Sequence, residues 1–91
     1  MSTAAKRHMG RVAQLPCCLC GTRQVHVHHI REGDAAGGGQ RANDWLTIPL
    51  CPDCHTGPLG VHGDKTVLYA AKKTEHDLLA ETMERLYGGI R

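Results

Sequence analysis

Apolar and polar side chains alternate from Gln24 to Ile30, with Val25 and Val27 set against His26 and His28. A period of two is that of an extended strand. The segment therefore predicts a strand with His26 and His28 on one face and His29 on the other. Leu46, Ile48 and Leu50 alternate in the same way and predict a second strand over 45–50, with Pro49 marking an edge or its end. Beyond residue 64 the period lengthens. Asp64 is placed to cap a helix from Thr66 to Lys73. Thr74 is placed to cap another with an acidic first turn, along which Leu78, Leu79, Met83 and Leu86 recur at helical spacing. Gly88 and Gly89 predict a left-handed end to that helix.

Between these elements the chain is punctuated. Residues 1–14 read as a flexible or partly helical arm, and 32–40, with Gly33, Gly37, Gly38 and Gly39, as a loop. Leu15-Pro16-Cys17 opens a tight knuckle closed by Gly21, whose missing side chain suits a turn. Cys51-Pro52-Asp53-Cys54 is a second knuckle, and His55 begins a short helical turn that Gly57, Pro58 and Gly60 interrupt.

Composition adds a constraint. A chain of 91 residues supports one small domain, and this one has no Phe, one Trp and two Tyr. Such a core needs a disulfide framework or a structural metal. Five cysteines cannot all pair, and Met1 to Met9 lacks the apolar stretch of a secretion signal. No run approaches the roughly 20 apolar residues of a membrane span. The expectation is a cytoplasmic chain whose cysteines bind metal, with no membrane partner. Net charge of +2 says little about partners, but Lys6, Arg7, His8 and Arg11 form a basic arm suited to phosphate contact or to plain solvation.

Cys17, Cys20, Cys51 and Cys54 form two paired-thiolate knuckles, the donor set of one closed, tetrahedral, structural zinc site. Cys18 is left free, because Cys18-Leu19-Cys20 is too short for a knuckle. A site of this kind contributes on the order of 10 kcal/mol to folding. A zinc module that only binds a partner would need nothing more, yet His28, His29 and His55 form a second set of ligand-type residues. Neutral imidazole is both a transition-metal ligand and a general base near neutral pH. That order of parts points to a metal-dependent nuclease. Of the remaining candidates, His26 reads as a supporting or surface residue and His62 as either a turn residue or a ligand. His8 and His76 read as exposed, Trp45 as core, and Arg31 and Lys65 as phosphate grips or solvated charges.

Val27-His28-His29-Ile30, the glycine-rich loop, Asn43-Asp44 and Leu50-Cys51-Pro52-Asp53-Cys54-His55 resemble the HNH (ββα-metal) endonucleases. More narrowly, the run from His28 to Arg31, the run from Asp44 to Cys51, and His55 with His62-Gly63 are similar to phage recombination-enhancement RecA-dependent nucleases. The resemblance covers roughly residues 16–65. It implies a small α+β fold: a ββα-metal core stapled by the four-cysteine zinc, with C-terminal helices. The domains implied are a basic arm over 1–14 and a nuclease domain over 15–91.

Carried over by position, the resemblance implies His29 as general base, with Asp44 or Asn43 orienting the base's loop. His28 and His55 take the positions of metal ligands, with His62 as an additional one. One catalytic divalent ion is implied, Mg, Mn, Ni or Zn, and all-nitrogen ligation favours a transition metal over Mg. The implied reaction is hydrolysis of DNA phosphodiester bonds, by nicking or double-strand cleavage. It would take place in a phage- or prophage-derived setting of recombination or repair, with a recombinase filament such as RecA as a candidate partner. Lys6, Arg7, Arg11, Arg31 and Lys65 are the candidate nucleic-acid contacts. The competing reading is a zinc-stabilised, non-catalytic module that binds DNA or protein. Oligomeric state stays open.

Overall fold

The computed structural model describes residues 2–31 and 43–88. The glycine-rich loop, Arg41 and Gly89 lie outside the described residues. In chain order the elements are helix α1 (Thr3–Ala13), strands β1 (His26–His29) and β2 (Thr47–Leu50), and helices α2 (Pro52–Thr56), α3 (Thr66–Ala71) and α4 (Glu75–Tyr87). This is an α+β architecture around a two-stranded sheet. The strands pair antiparallel, with His26 opposite Leu50, Val27 opposite Pro49, His28 opposite Ile48 and His29 opposite Thr47.

Both strands are shorter than the alternation predicted. Ile30 still donates its N–H to the Leu46 carbonyl at 3.0 Å, so the pairing continues one step beyond β1. Pro49 sits inside β2, at an edge of the two-stranded sheet that the described residues form. Its carbonyl accepts from Cys18 N–H at 3.0 Å, which docks the first cysteine knuckle on the sheet. The core between sheet and helices is made of Ile30, Ile48, Leu50, Val61, Leu68 and Leu78, joined by Cys17, Cys51 and Cys54. In a chain without Phe, the cysteines fill volume that aromatic side chains would otherwise occupy.

The cap of α4 follows the sequence, whereas the N-cap of α3 is Lys65 in place of Asp64, left-handed at φ 65 and with no side-chain cap hydrogen bond. Thr74 Oγ1 accepts from Asp77 N–H at 3.1 Å, while the Asp77 carboxylate accepts from Thr74 N–H at 2.9 Å, closing a capping box. Asp64 accepts from both the N–H and the hydroxyl of Thr66, at 2.9 and 2.7 Å. Helix α3 then stops at Ala71, short of Lys73, because Lys72 turns left-handed at φ 56. At the far end of α4, Gly88 has φ −65, so the left-handed stop predicted there does not occur at that residue. The buried seam of α4 is Glu75, Leu78 and Thr82, whereas Leu79, Met83 and Leu86 are only half-buried. A helix whose apolar stripe is flanked by buried polar groups has found specific partners for them.

The N-terminal segment is a structured helix that packs onto both strands and α4. Ser2 caps it, its hydroxyl accepting from Ala5 N–H at 3.1 Å, and Ala5, His8 and Val12 form its buried stripe. His8, expected at the surface, is fully buried. Its ring stacks on Trp45 with centroids 4.6 Å apart, and its Nδ1 hydrogen-bonds the Tyr87 hydroxyl at 2.7 Å. Burial lowers its pKa, so the imidazole packs as a neutral flat ring. Trp45, expected in the core, is 37% exposed and covers His8 with one face. Among the described residues, no helix is long and apolar enough to cross a membrane.

Candidate metal centres and catalytic site

The four cysteine sulfurs of Cys17, Cys20, Cys51 and Cys54 lie within 4.8 Å of one another. Each knuckle is held by its own backbone. In the first, Gly21 N–H donates to the Cys17 carbonyl at 2.9 Å, and Cys17 N–H to the Thr22 carbonyl at 2.8 Å. Gly21 sits at φ 81, which a side chain would disfavour. In the second, Cys51 is the N-cap of α2, and its sulfur accepts from Cys54 N–H at 3.5 Å. That helix starts at Pro52, so His55 falls in its last turn and does not open it.

The chemistry of the donors fits a cation. Burial pushes the Cys51 and Cys54 thiols up, while a hydrogen bond with Thr22 draws Cys20 down to about 6. Thiolates packed this closely repel one another unless a positive ion sits among them. This cluster could hold a structural metal such as zinc. Cys18 stands apart from it, half-buried against the core, with its thiol raised to about 12 by burial.

His28, His55 and His62 form a second cluster, with ligand-type atoms again within 4.8 Å of one another. Their ring centroids are 4.9 Å apart for His28–His55, 4.9 Å for His28–His62 and 4.7 Å for His55–His62. Three different parts of the chain supply them: mid-β1, the end of α2, and the turn that follows. That turn folds back over α2 because Val61 N–H donates to the Cys54 carbonyl at 2.8 Å and His62 N–H to the His55 carbonyl at 2.9 Å. Gly60 makes the approach possible, since a Cβ there would lie 2.8 Å from the carbonyl oxygens of Asp53 and Cys54. His62 is thus brought to the other two by backbone pairing.

Burial, followed by the nearness of His28, His62 and His26, lowers His55 to about 4. Burial and His28 lower His62 as well. Both rings are neutral at ordinary pH, with lone pairs available to a cation. His26, exposed at the surface, pairs its Nδ1 with His55 Nδ1 at 2.9 Å. Arg31 Nη1 approaches His62 Nδ1 at 3.5 Å.

The other half of the His-His step is arranged differently. His29 Nε2 hydrogen-bonds Asp44 Oδ1 at 2.9 Å, with the two side chains 17% and 16% exposed. The two candidates named with His29 divide their labour. Asn43 turns inward on its own loop, its Oδ1 accepting from Trp45 N–H at 3.0 Å and its carbonyl from Leu46 N–H at 2.9 Å. Asp44 meets the histidine.

Arg31 and Lys65 line an open cleft of about 380 Å³ together with Val61, His62, Gly63 and Glu75, on the His62 side of the cluster. Lys6, Arg7 and Arg11 lie on α1 with exposed side chains, and Arg11 donates to the Tyr87 hydroxyl at 3.3 Å. Sequence reasoning missed Glu75. Only 2% exposed, it hydrogen-bonds His28 Nε2 through Oε2 and accepts Arg31 N–H on Oε1 at 2.8 Å. Its position in the first turn of a capped helix had a sufficient local explanation, which concealed the long-range one.

Neither curated proteins nor solved structures contain a match to the chain. A family model does match, over residues 1–87, so it takes in α1 along with both clusters and α4. The chain belongs to the DUF968 family, described as proteins of unknown function.

Proposed function

We propose that this protein is a metal-dependent endonuclease of the HNH type that hydrolyses phosphodiester bonds in DNA. The observation that carries the reading is the convergence of His28, His55 and His62 beside, but separate from, the four-cysteine cluster. The succession of β1, β2 and α2 supports a ββα-metal core, with α2 carrying His55 directly after Cys54. Three neutral imidazoles fit a divalent transition ion better than Mg, which prefers oxygen. Three protein ligands also leave open the positions that catalysis needs, unlike a closed four-cysteine site. When bound, such an ion supplies positive charge against the phosphate oxygens and the departing oxygen.

The chain's own groups account for the rest. His29 Nε2–H donates to Asp44, which fixes the tautomer and leaves the Nδ1 lone pair free. His29 Nδ1 takes a proton from a water molecule as that water's oxygen bonds to phosphorus. The bond from phosphorus to the 3′ oxygen breaks with its electron pair on that oxygen, which takes a proton from solvent, giving a 5′-phosphate and a 3′-hydroxyl. Asp44 stabilises the imidazolium that forms and keeps its own charge. Arg31 and Lys65, in the cleft beside His62, hold the phosphate chain, and Lys6, Arg7 and Arg11 extend the contact along α1. A role in recombination or repair, with a recombinase filament as partner, accords with that substrate.

The test is plasmid cleavage by metal-stripped protein that has been reloaded with zinc at the cysteines. Mg, Mn, Ni or further Zn is then added, beside the His29→Ala variant. Relaxed or linear plasmid from the wild type, reduced about 10²–10⁴-fold in His29→Ala with the fold unchanged, is the expected result. A folded, zinc-loaded wild type that binds DNA but cleaves with none of the ions would instead indicate a zinc-stabilised binding module.

A further inference from the structure

Every imidazole of the histidine cluster has one nitrogen engaged by a neighbour. His55 Nδ1 meets His26, His62 Nδ1 faces Arg31, and His28 Nε2 meets Glu75. The first two neighbours are exposed side chains at the surface. The third is different in kind. Glu75 and His28 are both 2% exposed, and they come from elements 47 residues apart in the chain. Burying a carboxylate is costly unless it is fully hydrogen-bonded. Here the cost is offset by the two partners Glu75 takes on β1 and just beyond it, His28 Nε2 and the Arg31 N–H.

We infer that Glu75 is the positioning residue of the histidine centre: it holds the His28 proton on Nε2 and so presents Nδ1 to a divalent cation. This rests on the proposed metal centre and adds to it the tautomer and the group that sets it. A single ring nitrogen cannot both donate a proton to Glu75 and give its lone pair to a cation. A carboxylate on the far nitrogen also raises the basicity of the ligating one and fixes the ring plane. The second hydrogen bond, to Arg31 N–H, locks the end of β1 to α4 and sets where the Arg31 side chain enters the cleft. Glu75 touches neither substrate nor water in this scheme and acts through His28.

The test uses the full chain with zinc at the four cysteines and titrates Co²⁺ into wild type, Glu75→Gln and Glu75→Leu. Visible absorption follows uptake at the histidines, and the absence of thiolate–cobalt bands shows that the cysteine site keeps its zinc. Glutamine keeps a hydrogen-bond acceptor but loses the charge, so Glu75→Gln binds Co²⁺ about tenfold more weakly, and Glu75→Leu approaches 100-fold. In a His28→Ala background, Glu75→Gln produces no further loss. Nitrogen-15 correlation spectra of the wild type provide a readout independent of any variant's folding: the His28 proton is expected on Nε2, and it should stay there with zinc at both centres. Equal Co²⁺ affinity in wild type and folded Glu75→Gln, or a His28 proton on Nδ1, overturns the inference and leaves the nuclease reading standing. A wild type that takes up no ion at the histidines overturns both.

Discussion

The cysteine cluster and the histidine cluster share a helix, since Cys54 and His55 are consecutive residues of α2, yet they are built on opposite principles. The cysteine site has four donors on two self-contained backbone knuckles. Its supporting hydrogen bonds are local: Leu19 N–H to Cys17 sulfur and Cys54 N–H to Cys51 sulfur, each at 3.5 Å. The histidine site has three donors from three segments; of its outer partners, His26 and Arg31 lie on and just beyond the strand that carries His28, and Glu75 comes from α4. A closed site assembled from local turns serves to hold the fold together. An open site assembled across the fold exists only after folding, and its geometry is as good as the packing that presents it. A metal held by the four cysteines would fix the end of α2 that carries His55.

The largest expected effect tests the direction of that dependence. Cys51→Ser, or a chelator strong enough to strip the cysteine site, removes a contribution on the order of 10 kcal/mol and should unfold the domain. Far-ultraviolet circular dichroism would show it, and the ion affinity of the histidines should disappear in the same transition. His55→Ala should leave the folded signal and one equivalent of zinc in place while the second ion is lost. Histidine-site binding that survives loss of the cysteine zinc would break the comparison.

Acid should separate the two regions by a smaller amount. In the ion-free histidine cluster, His55 sits at about 4, below its usual value of about 6.5. A histidine with a depressed folded-state pKa binds fewer protons folded than unfolded through that window. Its stabilising effect is therefore full above about pH 6.5 and is lost as pH falls toward about 4. Melting temperature with zinc held at the cysteines should decline over this range, and the decline should be blunted in His55→Gln. An identical acid limb in the variant would place the sensitivity elsewhere.

The smallest effect comes from a purely local device. Thr74→Ala removes the capping box of α4 and should cost about 1 kcal/mol of stability. Because Glu75 is the next residue, the same change should also loosen His28 and weaken the second ion slightly, while zinc at the cysteines is untouched. Denaturant titration and Co²⁺ binding on the same sample would separate the two contributions.

Several features were legible because they depend on neighbours in the chain. The knuckle spacing of Cys17–Cys20 and Cys51–Cys54 determines which sulfurs can chelate together, and the structure gathers those four. The alternation around His28 placed His26 and His28 on a common face, where both now meet His55. Thr74 and Asp77 at capping distance were enough to start α4. Strand ends were overextended, because alternation continues past the point where a partner strand is available to pair.

What the sequence determined by itself was the donor inventory and the local geometry: four thiols on two turns, imidazoles on a strand and beside a knuckle, and the cap that starts α4. Only the tertiary structure decided the partners. His8 is polar and near the N-terminus, yet α1 folds back and buries it between Trp45 and Tyr87. His62 has no predictable partner in the sequence, and backbone pairing with α2 draws it to His55. Glu75 looked like a first-turn acid and turned out to be the buried partner of His28. The reason is physical. Periodicity, capping and chelate spacing are fixed by bond geometry over a few residues, whereas a buried polar pair forms only where two distant surfaces meet and exclude water.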